Sequence, residues 1–282
     1  MSYNISSENF SNPLLKELLE KLTIFFDSIE SEFYVIGATA RDMILSGIHK
    51  QVSARKTNDL DIAIAIPDWS KFQDISESLC KIEGFEKSKM HAQRFFYKTH
   101  YQLDIVPFGE IAQADKLIYW PPEESQAMSV SGFTDVVKHA LEISVDDSFV
   151  IHVATLPGIF ILKLNAWSNR NIETNRDADD MAFIISSYLE INEQRMVDEN
   201  YDLYEDDNFT TFNAGAALLG RDMKVILQAN TEILDEFVGI LRTEVDQLED
   251  SKLVNQMMET HASLKFEEVY NGLLSITNEL NK

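Results

Sequence analysis

At 282 residues and 45% hydrophobic content, the chain is long enough to bury a full core and form two domains, which excludes a disordered polymer. No apolar run approaches the ~20 residues of a membrane span, and a formal net charge of −23 sets most of the surface against a phosphate backbone. The one cysteine, Cys80, excludes an internal disulfide and is expected as a packed thiol. With no basic stretch followed by an apolar one at the N-terminus, the cytoplasm is the expected location.

The first predicted element is an amphipathic helix over 12–29, with Asn12 as cap and Pro13 in its first turn. Residues 33–66 follow as strand, glycine turn and helix. Phe33–Ile36 is apolar, Gly37-Ala38-Thr39 turns the chain, and Ala40-Arg41-Asp42 opens a helix to about Gly47. A polar connection leads to a second apolar strand carrying Asp59 and Asp61. Strand side chains alternate faces, so these two acids project together, roughly 6–7 Å apart along the strand. Two carboxylates so placed can share a divalent ion. Gly37 permits a tight turn, and the amides opening the next helix suit an anion.

Pro67 ends the strand, and Asp68 caps a helix to about Ile82, closed by Gly84. Residues 94–98 and 101–107 read as a hairpin whose second strand carries Asp104 between Leu103 and Ile105. A carboxylate there requires a partner or a metal, unless the strand is an edge. Around it, 81–100 and 49–58 hold His49, Lys50, Arg55, Lys56, Lys87, Lys89 and Arg94, read either as solvated surface or as a basic lip that receives a polyanion. Residues 110–132 form an irregular loop containing Glu123 and Glu124. A short helix over 133–140 comes next, then strands near 141–145 and 149–154 joined by Asp146-Asp147.

Thr155-Leu156-Pro157 opens a helix carrying Lys163, which on its own reads as a snorkelling surface lysine. Asp177 starts another helix, with acids in its first turn as the dipole favours. Everything beyond about 192 reads helical, over 192–203, 213–229, 231–248 and 253–278. The expected organisation is therefore α/β (α+β), with a small mixed sheet and flanking helices in 1–190 and an all-helical domain in 191–282.

Gly37 with its helix, then Asp-Leu-Asp on the next strand, resembles the DNA polymerase β-type nucleotidyltransferase superfamily. The run IGATARDMIL is similar to the corresponding turn of CCA-adding enzymes, with Ala38 where a second Gly or Ser is usual. Lys163-Leu164-Asn165-Ala166, followed by Arg170, Arg176, Asp177 and Asp180, narrows the resemblance to the AbiEii-like toxin nucleotidyltransferases. The matching motifs span about 33–185. The resemblance implies catalytic, metal-binding acids at Asp59, Asp61 and Asp104, and nucleotide contacts at Gly37, Thr39, Arg41, Lys163 and Asp177. It further implies two Mg²⁺ ions, ATP or another nucleoside triphosphate as donor, tRNA or a protein hydroxyl as acceptor, and an antitoxin partner. The rival readings are a catalytically silent nucleotide-binding or partner-binding module, and an antitoxin or scaffold whose acidic surface binds a basic protein.

Overall fold

The computed structural model describes residues 3–51, 59–122, 126–205 and 209–282; Arg55, Lys56, Glu123 and Glu124 lie outside them. The chain divides into two compact units, Met1–Thr155 and Leu156–Lys282.

The first unit contains strand β1 (Tyr3–Ile5), helix α1 (Leu14–Ser28), β2 (Tyr34–Ile36), and α2 (Gly37–Asp42), which runs on as a π-helical turn over Met43–Ile48. Then come β3 (Asp59–Ala65), α3 (Trp69–Leu79), β4 (Phe85–Lys87), β5 (Arg94–Tyr97) and β6 (Tyr101–Phe108). The unit finishes with β7 (Leu117–Tyr119), β8 (Ala127–Ser129), α4 (Phe133–Val137), β9 (Leu141–Val145) and β10 (Phe149–Val153). Eight strands form one mixed sheet in the order β1-β9-β10-β2-β3-β6-β5-β4, while β7 and β8 pair as a separate ribbon. The ribbon lies inside the segment expected to be irregular.

Alternation along the central strands sorts the sheet into two faces. Leu60, Ile62, Leu103, Ile105 and Phe95 are fully buried, on the face that packs as core. Asp59, Asp61, Gln102, Asp104 and Arg94 take the intervening, partly exposed positions. Helix α1 contributes Leu15, Leu18, Leu19, Leu22, Phe25 and Phe26 at helical spacing to the apolar interior. Asp68 caps α3 as its position before the helix predicts, accepting from the Lys71 amide. Cys80, at the end of that helix, is exposed rather than packed.

The second unit is helical: α5 (Leu156–Arg170), α6 (Arg176–Ile191), α7 (Glu193–Glu199), α8 (Thr211–Leu227), α9 (Thr231–Asp246), α10 (Lys252–Thr260) and α11 (Phe266–Asn281). The division falls at Thr155–Leu156 rather than at 190. The reason is packing: α5 and α6 lay their apolar residues against α8, α9 and α10. The run expected as one helix over 253–278 is two helices. His261 ends the first, and its ring meets the Asp179 backbone oxygen at 3.2 Å and carboxylate at 3.1 Å on α6.

Candidate active site

Three carboxylates reach one face of the sheet because their strands run side by side. β3 and β6 pair in parallel with Asp61 opposite Asp104 and Asp59 opposite Gln102. Neighbouring strands lie about 4.7–4.9 Å apart, so Asp61 and Asp104 are adjacent like charges, an arrangement that costs stability unless a cation answers it. The field of the acid pair reaches the core: burial first, then Asp59 and Asp61, push the Tyr101 hydroxyl well above its usual range.

Gly37 completes this corner. Its φ of +68° is left-handed, and a Cβ built on it would stand 2.5 Å from Oδ2 of Asp61. Only a residue without a side chain lets the turn after β2 close on that carboxylate. The two residues expected to touch phosphate beside it are placed differently. Thr39 is 4% exposed, and its hydroxyl donates to the Asp59 backbone oxygen at 2.7 Å, tying α2 to β3. Arg41 is 3% exposed and donates from Nε and Nη2 to Oδ1 of Asp42, at 3.0 and 2.8 Å. Thr39 is thus tied to β3, and Arg41 to its neighbour Asp42.

Asp104 has its partner in Arg94. The antiparallel pairing of β5 and β6 sets these residues opposite each other. The guanidinium donates from Nε to Oδ1 and from Nη2 to Oδ2, each at 2.9 Å. Gln102 adds a longer contact from Nε2 to Oδ2, at 3.3 Å. These bonds to Asp104, with further attraction from Asp61 and Asp59, raise the Arg94 pKa above its ordinary value. Arg94 therefore belongs to the acid face, not to an exposed basic lip. Lys87 sits on the other face, over the rings of Phe72 and Phe95 at 5.4 and 5.5 Å, beside a groove of about 620 Å³ bordered by Trp69 and Trp120. The expected lip is thus divided between two faces of the sheet, and its Arg55 and Lys56 lie outside the described residues.

The donors fit a hard cation in kind, since Mg²⁺ and Ca²⁺ take carboxylate oxygens. Asp59 and Asp61 face the same side, whereas Asp104 is turned to Arg94. Among the described residues no three His, Cys, Asp or Glu side chains stand ready to hold an ion together.

In the helical unit, Lys163 and Asp177 come together as a pair. Lys163 Nζ lies 3.3 Å from Oδ1 of Asp177 and 2.6 Å from Oδ2 of Asp180. Arg170 grips Asp177 from the end of α5, Nε to Oδ2 at 2.7 Å and Nη2 to Oδ1 at 2.8 Å. Asp177 is fully buried. Burial alone would push its carboxyl up, but Arg170 and Lys163 together hold it below its ordinary value. The residue preceding α6 is Asn175, so Asp177 works as a bonded first-turn acid rather than as the cap.

The expected strands, 94–98 and 101–107, would close with Lys98 opposite Tyr101 and so set Arg94 opposite Ile105; the observed pairing of Tyr97 with Tyr101 shifts the register by one residue and brings Arg94 opposite Asp104.

Among solved structures, one titled "Solution Structure of Antibiotic-Resistance Factor ANT(2'')-Ia Reveals Substrate-Regulated Conformation Dynamics" is similar at 14% identity and a TM-score of 0.36, over 67% of this chain and 94% of that one. No curated protein sequence matches the chain. No helix among the described residues is long and apolar enough to cross a membrane. Residues 18–271 match the family described as nucleotidyl transferase AbiEii toxin, Type IV toxin–antitoxin system. With nearly its whole length in that match, and with the acid strands and glycine turn in place, the chain belongs to the AbiEii nucleotidyltransferase toxin family.

Proposed function

We propose that the acid face of the first unit moves a nucleotidyl group from a nucleoside triphosphate to a hydroxyl of RNA or protein, and that the chain is the toxin of a toxin–antitoxin pair. The observation that carries this reading is the register of β3 on β6, which sets Asp61 beside Asp104 with Asp59 on the same face, in a chain of this family. In the reaction the acceptor hydroxyl gives up its proton to solvent, its oxygen bonds to the α-phosphorus, and the bond from that phosphorus to the pyrophosphate leaving group breaks.

Asp59 and Asp61 would hold Mg²⁺ in a two-ion site, joined by Asp104. Bound there, the ions supply neutralisation of the phosphate charge. The chain's own residues do the positioning. Gly37 keeps the backbone close to Asp61 without a side chain in the way, and Thr39 holds the turn in place through the Asp59 carbonyl. Arg94 fixes the orientation of Asp104. Catalysis of this kind rests on orientation and charge stabilisation.

The test incubates the protein with each α-labelled nucleoside triphosphate, MgCl₂ and either total RNA or total cellular protein, for wild type and Asp61→Asn. Wild type should place label in one of the two acceptor fractions. The variant should lose on the order of a hundredfold or more, each tenfold being about 1.4 kcal/mol of barrier. Without metal, the variant's melting temperature should hold or rise, because one of two adjacent like charges is gone. Absence of transfer by wild type overturns the reading, as does a large fall in the metal-free variant's melting temperature, which would make Asp61 a structural acid.

A further inference from the structure

The helical unit carries a surface that the proposed reaction does not call on. Three rings stand in a row where the chain leaves α7. Tyr201 and Tyr204 lie 5.6 Å apart between ring centroids, and Tyr204 and Phe209 lie 5.3 Å apart. The two outer rings face solvent, Tyr201 at 59% exposure and Phe209 at 38%. Apolar side chains scattered singly over a surface need no explanation, but exposed rings grouped together mark an interaction site. The ladder is also held in place. Leu203 in the same turn is buried, and Arg221 on α8 donates to Asn200 Oδ1 at 2.7 Å and to both carboxylate oxygens of Asp202. Rings fixed in advance lose little freedom when a partner binds.

The charge around the ladder selects the partner. No Lys, Arg or His occurs from Met196 to Gly220, while Asp198, Glu199, Asp202 and Glu205 lie in or beside the turn. The cations at either end of this stretch are engaged: Arg195 grips Asp222 at 2.9 and 2.8 Å, and Arg221 holds Asp202. Lys282, whose charge reaches Asp202, is bonded to Glu279 at 2.6 Å. Stacked rings on a basic surface would suit the bases of a single-stranded nucleic acid. Here the acids repel a phosphate backbone, and they repel a second copy of a chain with net charge −23. Arginine matches both features, because its guanidinium lies flat on a ring face while its charge answers the carboxylates. We propose that the ladder of Tyr201, Tyr204 and Phe209 is a docking surface for an arginine-bearing basic segment of another protein, with guanidinium groups on the rings and Glu199 and Glu205 meeting their charge.

The experiment uses the full chain at about 0.15 M ionic strength, where exposed charges more than ~8 Å apart are largely screened. The anisotropy of fluorescein-labelled nona-arginine, nona-lysine and oligouridine is titrated with wild type, Tyr201→Phe, Tyr201→Ser and the Tyr201→Ser/Phe209→Ser pair. None of these substitutions alters the net charge, so a change in affinity belongs to the rings. Tyr201→Ser should weaken nona-arginine binding about three- to tenfold, and the pair by more than about tenfold. Tyr201→Phe, which keeps the ring, should bind as wild type does. Nona-lysine should bind wild type more weakly and lose less when the rings are removed. Melting temperatures identify a variant that does not fold. Should the pair fail to fold, the two single substitutions at Tyr201, the most exposed ring, decide the matter.

Equal affinity for nona-arginine in wild type and the serine variants would show that the acidic surface attracts the peptide without a site, and would overturn the proposal. Failure of wild type to bind nona-arginine at all would do the same. Ring-dependent binding of oligouridine would make the ladder a nucleic-acid platform instead. Self-association that the serine variants abolish, with peptide binding unchanged, would make it a contact between copies of this chain; either result overturns the proposal. All of these outcomes leave the reading of the acid face intact, since the rings belong to the helical unit and the acids to the first.

Discussion

Lys163 is 15% exposed, and its ammonium is shared by two aspartates, one of them fully buried. A lysine that merely snorkels from an apolar helix would cost a few tenths of a kcal/mol on removal. Here Lys163→Ala strips charged hydrogen bonds from Asp177 and Asp180, and such bonds contribute about 1.5–3 kcal/mol. Denaturant unfolding should report a loss in that range, with the slope on denaturant unchanged; a loss below about 0.5 kcal/mol would return Lys163 to the surface class. The pH dependence follows from Asp177. Its folded pKa lies below the ordinary 3.8, so the unfolded chain takes up the proton first. The stabilisation is fully present above that ordinary value and is lost as pH falls through the lower, folded one. Asp177→Asn should flatten the acid limb of the stability curve in that window, and an acid limb like that of wild type would show that other carboxyls set it.

Among the elements, α8 and α11 show how close two helices come when side chains are omitted. A Cβ on Gly220 would stand 3.0 Å from Cα of Ile276 and 3.1 Å from its carbonyl oxygen, both backbone atoms that cannot turn aside. Gly239 on α9 has nothing within 4 Å of the same position. Alanine in place of glycine within a helix gains about 0.8–1.0 kcal/mol in propensity, so the two sites should respond with opposite signs. Gly239→Ala should stabilise by about that amount. Gly220→Ala should lose about 1–3 kcal/mol by overpacking. Chemical denaturation of both variants decides this, and equal signs would mean that α11 shifts to accommodate the methyl group. The same scale shows what sequence could deliver. Leucines at helical spacing in α1 and alternation in β3 and β6 name those elements outright, and the same-face geometry of Asp59 and Asp61 follows from the alternation alone. β1 and β4 are three residues each, too short for any period, and they exist because neighbouring strands offer an open edge. Register across strands that are not neighbours in sequence, such as Asp61 beside Asp104, is a property of the assembled sheet. Register within the hairpin hangs on one residue: Lys98 lies in the turn, and counting it as strand sets Arg94 opposite Ile105 instead of Asp104.

The whole chain carries a net charge of −23, and this sets how it responds to salt. Repulsion among surface acids acts over distances near or beyond a Debye length, which shrinks from about 30 Å at 0.01 M to 3 Å at 1 M ionic strength. Attractions of the kind Arg94 makes with Asp104, or Lys163 with Asp177 and Asp180, act over about 3 Å in partly buried surroundings and are screened far less. Added salt therefore removes more repulsion than attraction. Melting temperature should rise by a few degrees between 20 and 500 mM NaCl at neutral pH. A flat or falling profile would mean that exposed ion pairs such as Lys98 with Glu17 outweigh the net charge. The acid face adds a second, separable part. At matched ionic strength, MgCl₂ should raise the wild-type melting temperature beyond NaCl, because an ion that binds only the folded chain stabilises it by mass action. Asp61→Asn should keep the response to NaCl and lose that excess. If both proteins show the same excess, Mg²⁺ is acting through general screening of the acidic surface and not through the carboxylates of β3 and β6.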